Sequence, residues 1–523
     1  MDTIQLGPFR GINNRLPDFA LAVKDEGAWL REAENVDITN SGHVVRRKAT
    51  AQVQAVSSPH SLFNGYLVRA STLYEVTLPS YSETLVKILT SNAPMSYVEY
   101  NGDTYYSNGT DSGRIAASGT VYPWALPTPD APACSTVAGS LFKGAYQVAV
   151  SYVNTTTGEE GGVSAATSYT LAADGGIRVT LPAATTGATH VNVYVSTVNG
   201  GIPLLHSTVA IGTATVDLTT DATGREANQR YEAPLPAGTR LFVFNGRLCS
   251  VKGKDLFYSL PYKPGYYLPV ENRITFGADI SIAIGNQAGV YVAADKTYFL
   301  AGQDLGAVDV VRDVLPYGAV PGTEFSHHEK SLVGWFGDKG IVLATPAGEV
   351  EAVMSDTIDL TPPASGVSTV LETAGRSRVV SCGWCMNLDT KAVTTYTGWD
   401  FTSTNNGYGT KADGVYALES DGAVDAHVSL GKQNFGVENM KRMPAVYFGC
   451  TSDEPLELRV TTPEDEDYRY EARSCGTVLA QHRVDVGKGL RANWFDLSVY
   501  NVLGSDFTLA SVSFAPVVSG RRI

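Results

Sequence analysis

Cys382-Gly383-Trp384-Cys385 has the spacing of a redox dithiol, in which a helix N-terminus lowers the pKa of the leading cysteine and makes its thiolate the nucleophile. The flanks decide against that chemistry. The preceding Arg-Ser-Arg-Val-Val-Ser run reads as a strand, and no βαβ pattern or helix follows. A closed zinc site needs four ligands, and no second cysteine or histidine pair lies at matching spacing. His327-His328-Glu329 suggests a metal, but adjacent histidines on a strand point to opposite faces and do not share one ion. Trp399-Asp400 matches the dipeptide of one propeller family, yet occurs once and without the accompanying Gly-His. No nucleophile elbow, phosphate-binding glycine loop, HExxH helix or calcium loop is present. With 53 acidic residues, chance pairs of carboxylates are guaranteed and none stands out as a glycosidase pair. No catalytic, cofactor-binding or metal-binding residue is nominated on this basis, no cofactor is expected, and the chain reads as a non-enzyme.

The elements that would position any such residues are strands. Asn-Gly occurs at 64, 101, 108, 199, 245 and 406 and Asp-Gly at 174, 413 and 421, pairs that favour the two positive φ angles of a type I′ hairpin turn. Between them lie alternating segments such as Tyr146–Val153 and His190–Val195. The one helical candidate is Asp18 to Val36, where Trp29, Leu30 and Ala33 could share a face, with Gly27 as an interruption. Turn–strand–turn–strand units recur at 63–76, 100–108, 244–259, 286–302, 337–350 and 412–424, several at spacings of about 40 to 50 residues, the period of propeller blades. A β-sandwich with long hairpins is the alternative.

The expected fold is all-β: a β-propeller with an inserted immunoglobulin/fibronectin-like sandwich and a C-terminal β-sandwich-like region. Residues 1–126 would form an N-terminal arm and first blades. Residues 127–220 would form the inserted sandwich, opened by a Pro-Thr-Pro-Asp-Ala-Pro-Ala linker and lacking a Cys…Trp…Cys signature. Residues 221–431 would supply the remaining blades and 432–523 the C-terminal β-rich region, with Glu464 to Asp467 at a solvated turn.

Bulk properties exclude some functions. No apolar stretch approaches a membrane-spanning helix, the most apolar one, Ile280 to Ala294, being broken by Asn286 and Gln287. No secretory signal is readable at the N-terminus, so manufacture in the cytoplasm is expected. A net charge of −14 argues against tight nucleic-acid binding. Six cysteines in 523 residues do not build a disulfide scaffold and are expected to be reduced and buried.

Three stretches carry a resemblance. Gly11 to Asn14, the acidic Glu32 to Thr39, Gly42 and the pair Arg46-Arg47 resemble the opening of many phage virion proteins. Residues 241–302 resemble the central blades of tail nozzle or tail accessory proteins of short-tailed phages, and the segment from Gly487 to Arg522 is similar to their ending. Lys48-Ala49 departs from the Pro or Gly common after the arginine pair, and the insertion at 127–220 has no fixed place in the pattern. The resemblance implies a virion structural protein of the tail. It would be a ring homo-oligomer of six-fold or twelve-fold symmetry, contacting the portal or adaptor and other tail or fibre proteins and passing double-stranded DNA without specific binding. Arg46, Arg47, Arg521 and Arg522 would then lie at subunit contacts. The other function considered is a carbohydrate-binding or glycan-processing β-propeller, whose aromatics, 27 tyrosines among them, stack on sugar rings.

Overall fold

A computed structural model describes residues 4–23, 27–308, 310–373, 375–487 and 489–519. Their regular structure is β-strand, apart from single 3-10 turns at Asp18–Ala20 and Leu305–Ala307. None of their helices is long and apolar enough to cross a membrane. The helix considered over 18–36 does not form. Strands Ala22–Val23, Gly27–Leu30, Glu32–Glu34 and Val36–Ile38 take its place. Ala28 and Leu30 point inward with Trp29 between them facing partly outward, a period of two that a strand satisfies and a helix does not. Gly27 sits at φ +97°, and a Cβ there would lie 2.4 Å from the Pro8 carbonyl oxygen, so only glycine fits.

Four-stranded antiparallel sheets recur along the chain. Among the described residues they cover 60–88, 96–122, 240–275, 282–315 and 325–352, a sixth joins 403–420 to the early strand Ala49–Ala55, and the four strands over 368–395 open a longer sheet. The architecture is all-β and propeller-like. In four of these sheets the first hairpin turns on Asn-Gly at 64, 101, 245 and 406, each with positive φ at both residues, as a type I′ turn requires.

The chain divides into two compact units, 1–85 with 314–523 and 86–313. In the first, the sheet over 368–395 continues through Glu32–Glu34 into His427–Gln433, Phe495–Tyr500, Glu457–Thr461 and Asp467–Glu471, giving nine strands. A second sheet pairs Gly476–Asp485, Ala445–Ser452, Phe507–Phe514, Val44–Arg46 and Val36–Ile38, with Ile4–Leu6 added on Phe507–Phe514. Val428, Leu458, Phe495 and Leu497 of the first sheet and Val446, Phe448, Val512 and Phe514 of the second share one buried core.

In the second unit, Ala133–Leu141, Gly175–Thr180 and Thr215–Leu218 form one sheet. Gly144–Asn154, flanked by His190–Val195 and Thr167–Leu171, centres another. Val148, Val150, Ile177, Val179, Val193 and Leu218 pack together. The half-burial expected of Tyr146–Val153 is exceeded, because Ala149 packs on Val163, Tyr194 and Ala227 on the opposite side.

All six cysteines are free thiols, but only Cys249, Cys385 and Cys450 are buried. Cys475 is exposed and Cys134 and Cys382 are half-buried, which corrects the expectation of uniform burial.

Candidate functional site

The outer face of the nine-stranded sheet gathers side chains from opposite ends of the sequence. Phe495–Tyr500 alternates: Phe495, Leu497 and Val499 enter the core, and Asp496, Ser498 and Tyr500 face out. Register sets their neighbours. His427 and Glu457 flank Tyr500, Ser429 and Arg459 flank Ser498, and Lys432 and Thr461 flank Asp496. Glu34 and Glu32 extend the row beside His427 and Ser429.

A bulge between Ser429 and Gly431 re-aims this row. Gly431 has φ +66°, and a Cβ there would meet Leu21 Cδ1 at 3.0 Å and Asp18 Cγ at 3.2 Å, so the missing side chain makes room for Asp18 beside the sheet. Asp18 accepts a hydrogen bond from Arg31 Nε at 2.6 Å, and Arg31 also donates to the Leu16 carbonyl at 2.5 Å. The bulge thus brings a second carboxylate toward Asp496 with its own clamp.

Asp496 is held above the usual carboxylate range. Burial is the main cause; the charges of Asp18 and Glu32 act in the same direction, against Lys432 and the Leu497 backbone. Every other carboxyl with a resolved shift among the described residues is lowered, by ion pairs or hydrogen bonds. Burial beside other carboxylates favours its protonated form, the direction that general-acid chemistry requires. Around it lies an aromatic surface. His427 stacks on Tyr500 at 4.7 Å and 10°, Arg459 covers Tyr500 at 3.6 Å, and Lys432 lies 4.7 Å from the Trp494 ring. Glu32, two-thirds exposed, lies 3.4 Å from His427 Nε2.

The second unit presents an aromatic site of its own. Tyr231 and Tyr262 are 81% and 89% exposed and both have left-handed backbone, φ +71° and +56°, a conformation that bulky residues avoid. Such strain persists only where the surroundings impose it. The residues that follow them, Glu232 and Lys263, form an ion pair that ties the two turns together. Tyr231 lines a cavity of 580 Å³ together with Gln147, Ser164, Arg230 and Glu232.

The residues singled out from the sequence lie elsewhere. Cys382 and Gly383, at φ +53° and +80°, form a hairpin tip between Arg376–Ser381 and Trp384–Asn387. Burial pushes the thiols up to about 11 for Cys382 and about 12 for Cys385, the reverse of an activated dithiol. His327 is buried 3.0 Å from Glu372 while His328 faces out, and no group of three or more metal-ligating side chains occurs among the described residues. Trp399 packs edge-on between Tyr396 and Phe401, and Asp400 pairs with Lys411.

Arg46 and Arg47 are buried and committed within the chain. Arg46 binds Asp506 and the Gly422 carbonyl. Arg47 donates to Asn35 Oδ1 at 2.8 Å and Thr397 O at 3.1 Å and lies 5.0 Å from the Tyr396 ring. Beneath it, Asp37 accepts from Tyr396 Oη at 2.5 Å and pairs with Arg378, both charged side chains at most 3% exposed. Arg521 and Arg522 lie outside the described residues.

No family model matches the chain, and no curated protein does. Among solved structures it is similar to an arabinoxylan arabinofuranohydrolase of glycoside hydrolase family 43 from Bacillus subtilis, at 10% identity over 81% of this chain and 95% of that one, with a TM-score of 0.23. It is similar to an exo-β-1,3-galactanase from Phanerochaete chrysosporium at 10% identity over 80% and 95%, TM-score 0.20. A third is the extracellular domain of a hybrid two-component system from B. thetaiotaomicron, at 10% identity over 92% of each chain, TM-score 0.22. None of these is a phage tail protein, and the first two are glycan-cleaving enzymes. The non-enzymatic virion reading, with its tail, nozzle and DNA-ejection roles, is corrected by this finding.

Proposed function

We propose that this chain is a glycan-processing β-propeller protein and that the outer face around Asp496 is its reaction site. The observation that carries the reading is the placing of Asp496, half-buried, in register with Lys432 and within the field of Asp18 and Glu32. Cleavage of a glycosidic bond needs one carboxyl group that donates a proton to the departing oxygen and a second that activates water or attacks the sugar. Asp496 is the proton donor in this reading. Glu32, the exposed carboxyl beside His427, is the second group, and Asp18 serves as a positioning residue through its clamp on Arg31. Trp494 offers a ring face for sugar stacking at the reaction site, and Tyr231 and Tyr262 offer theirs on the second unit. The paired sheets at 133–218 are read as a fibronectin-like sandwich.

The test is a panel of neutral and acidic polysaccharides assayed for released reducing ends. Wild-type turnover is expected on at least one of them, with Asp496→Asn and Glu32→Gln each losing at least about 100-fold, the scale of general acid–base catalysis, while glycan binding is retained. Absence of turnover across the panel, or full activity in both variants, overturns the reading.

A further inference from the structure

A small three-stranded sheet in the first unit runs in the order Arg491–Ala492, Lys441–Arg442, Val517–Val518. Its register sets Arg442 directly opposite Arg491. Cross-strand partners in an antiparallel pair share a face, and like charges placed so are destabilising unless something lies between or above them. No carboxylate pairs with either guanidinium among the described residues. Arg178, Lys391 and Arg473, by contrast, are met by Asp217, Glu351 and Asp485.

The two arginines also line a cavity of 410 Å³, together with Lys441, Val518 and Ser519, and no acid is among its lining residues. Lys441 is fully buried. Its ammonium is fixed from behind by the carbonyls of Val437, at 2.8 Å, and Asn493. The charge of Glu438 acts on it in the stabilising direction, so this ammonium is answered from within the chain. Two forked guanidiniums, each able to grip an oxyanion bidentately, thus share one face and one concavity, while the Lys441 side chain leaves the strand on the opposite, buried face.

We propose that this cavity binds an oxyanion substituent, a carboxylate or sulfate group, of an acidic glycan. The choice of glycan rests on the function proposed above; the anion site itself rests only on the register and the lining. A guanidinium pair spans the two oxygens of a carboxylate or two of a sulfate. The overall negative charge repels polyanions that lack a specific seat, so a long nucleic acid gains little from this one basic spot.

The full-length protein is titrated calorimetrically with sodium sulfate and with sodium acetate, then with a sulfated or uronic-acid polysaccharide against a neutral one. Arg442→Gln and Arg491→Gln are compared with wild type, and Arg442→Lys serves as a charge-preserving control; the melting temperature of each variant reports on folding. The expected result is anion binding that weakens at least tenfold in both glutamine variants and partly recovers in the lysine variant, with the acidic polysaccharide preferred and the preference lost in the same variants. Sulfate binding without any polysaccharide binding keeps the anion site and overturns the glycan occupant. Polysaccharide binding that ignores charge and both variants overturns the anion site and leaves the glycan reading intact. A single-stranded oligonucleotide that displaces sulfate more strongly than the acidic polysaccharide assigns the seat to nucleic acid and overturns the proposal.

Discussion

Asp496 and Asp37 are both carboxyl groups withdrawn from water, and the sequence around each treats it differently. Asp37 is met at once by Arg378, with Tyr396 donating to its other oxygen, so the buried charge is paired and hydrogen-bonded. Removing one partner of such a pair leaves the other uncompensated. Asp37→Ala is expected to cost about 3–5 kcal/mol in urea unfolding, and a loss below 1 kcal/mol contradicts the pairing described here. Asp496 has no such partner, and burial with neighbouring acids raises its pKa. A raised carboxyl favours the folded state while protonated. That contribution is complete below the unfolded value of about 3.9 and is lost as the pH rises through the higher folded value. Asp496→Asn removes the loss, so the variant is expected to melt above wild type at neutral pH and to converge with it in acid. A melting difference independent of pH refutes the assignment. A residue that lowers stability where activity needs it is the usual trade at a reaction site.

At the scale of elements, the bulge at Ser429–Gly431 connects backbone geometry to chemistry. Gly431→Ala forces a Cβ onto a backbone at φ +66° and against Asp18. The expected cost is about 1–2 kcal/mol from the left-handed conformation. Displacement of Asp18 adds a second signature, a shift in the pH profile of any glycan turnover. Asp18→Asn should reproduce the pH shift without the full loss of stability, and a Gly431→Ala protein with an unchanged profile detaches the bulge from the site. These elements were unequally legible in the sequence. Asn-Gly at 64, 101, 245 and 406 announced hairpins because both residues tolerate positive φ, and the structure uses each pair that way. The same dipeptide logic misses at Asp413-Gly414, where the turn forms without the paired positive angles. The helix expected over 18–36 failed because Trp29 and Leu30 were weighed by helical spacing when the chain alternates. Asp496 was illegible for a different reason. Its state depends on Asp18 and Glu32, more than 460 residues earlier, and among 53 acids no local pattern marks the three that meet.

For the whole molecule, the first 55 residues matter out of proportion to their length. Strands Ile4–Leu6, Glu32–Glu34, Val44–Arg46 and Ala49–Ala55 each pair with strands beyond residue 390. Deleting residues 1–55 opens edges in three sheets, and the shortened chain is expected to lose cooperative unfolding of the first unit and to aggregate. Excising 133–218 and bridging the ends with a short Gly-Ser linker removes a segment with its own core, so the melting transition of the first unit is expected to persist. Loss of that transition would show that the segment supports more than itself.

The same interleaving governs how the protein comes into being. Ile4 finds its partner in Phe514, so the earlier strand waits for one made about 500 residues later. At about 5–20 residues per second, that is roughly 25 to 100 s during which the leading strands emerge from the ribosome with open backbone edges. The first unit is therefore finished only once Phe507–Phe514 has been made, while 86–313, bounded within one continuous stretch, can close before then. Nascent chains of this protein are expected to be clients of ribosome-associated chaperones, and a circular permutant that begins at residue 390, with the old termini joined, shortens the wait and should raise soluble yield.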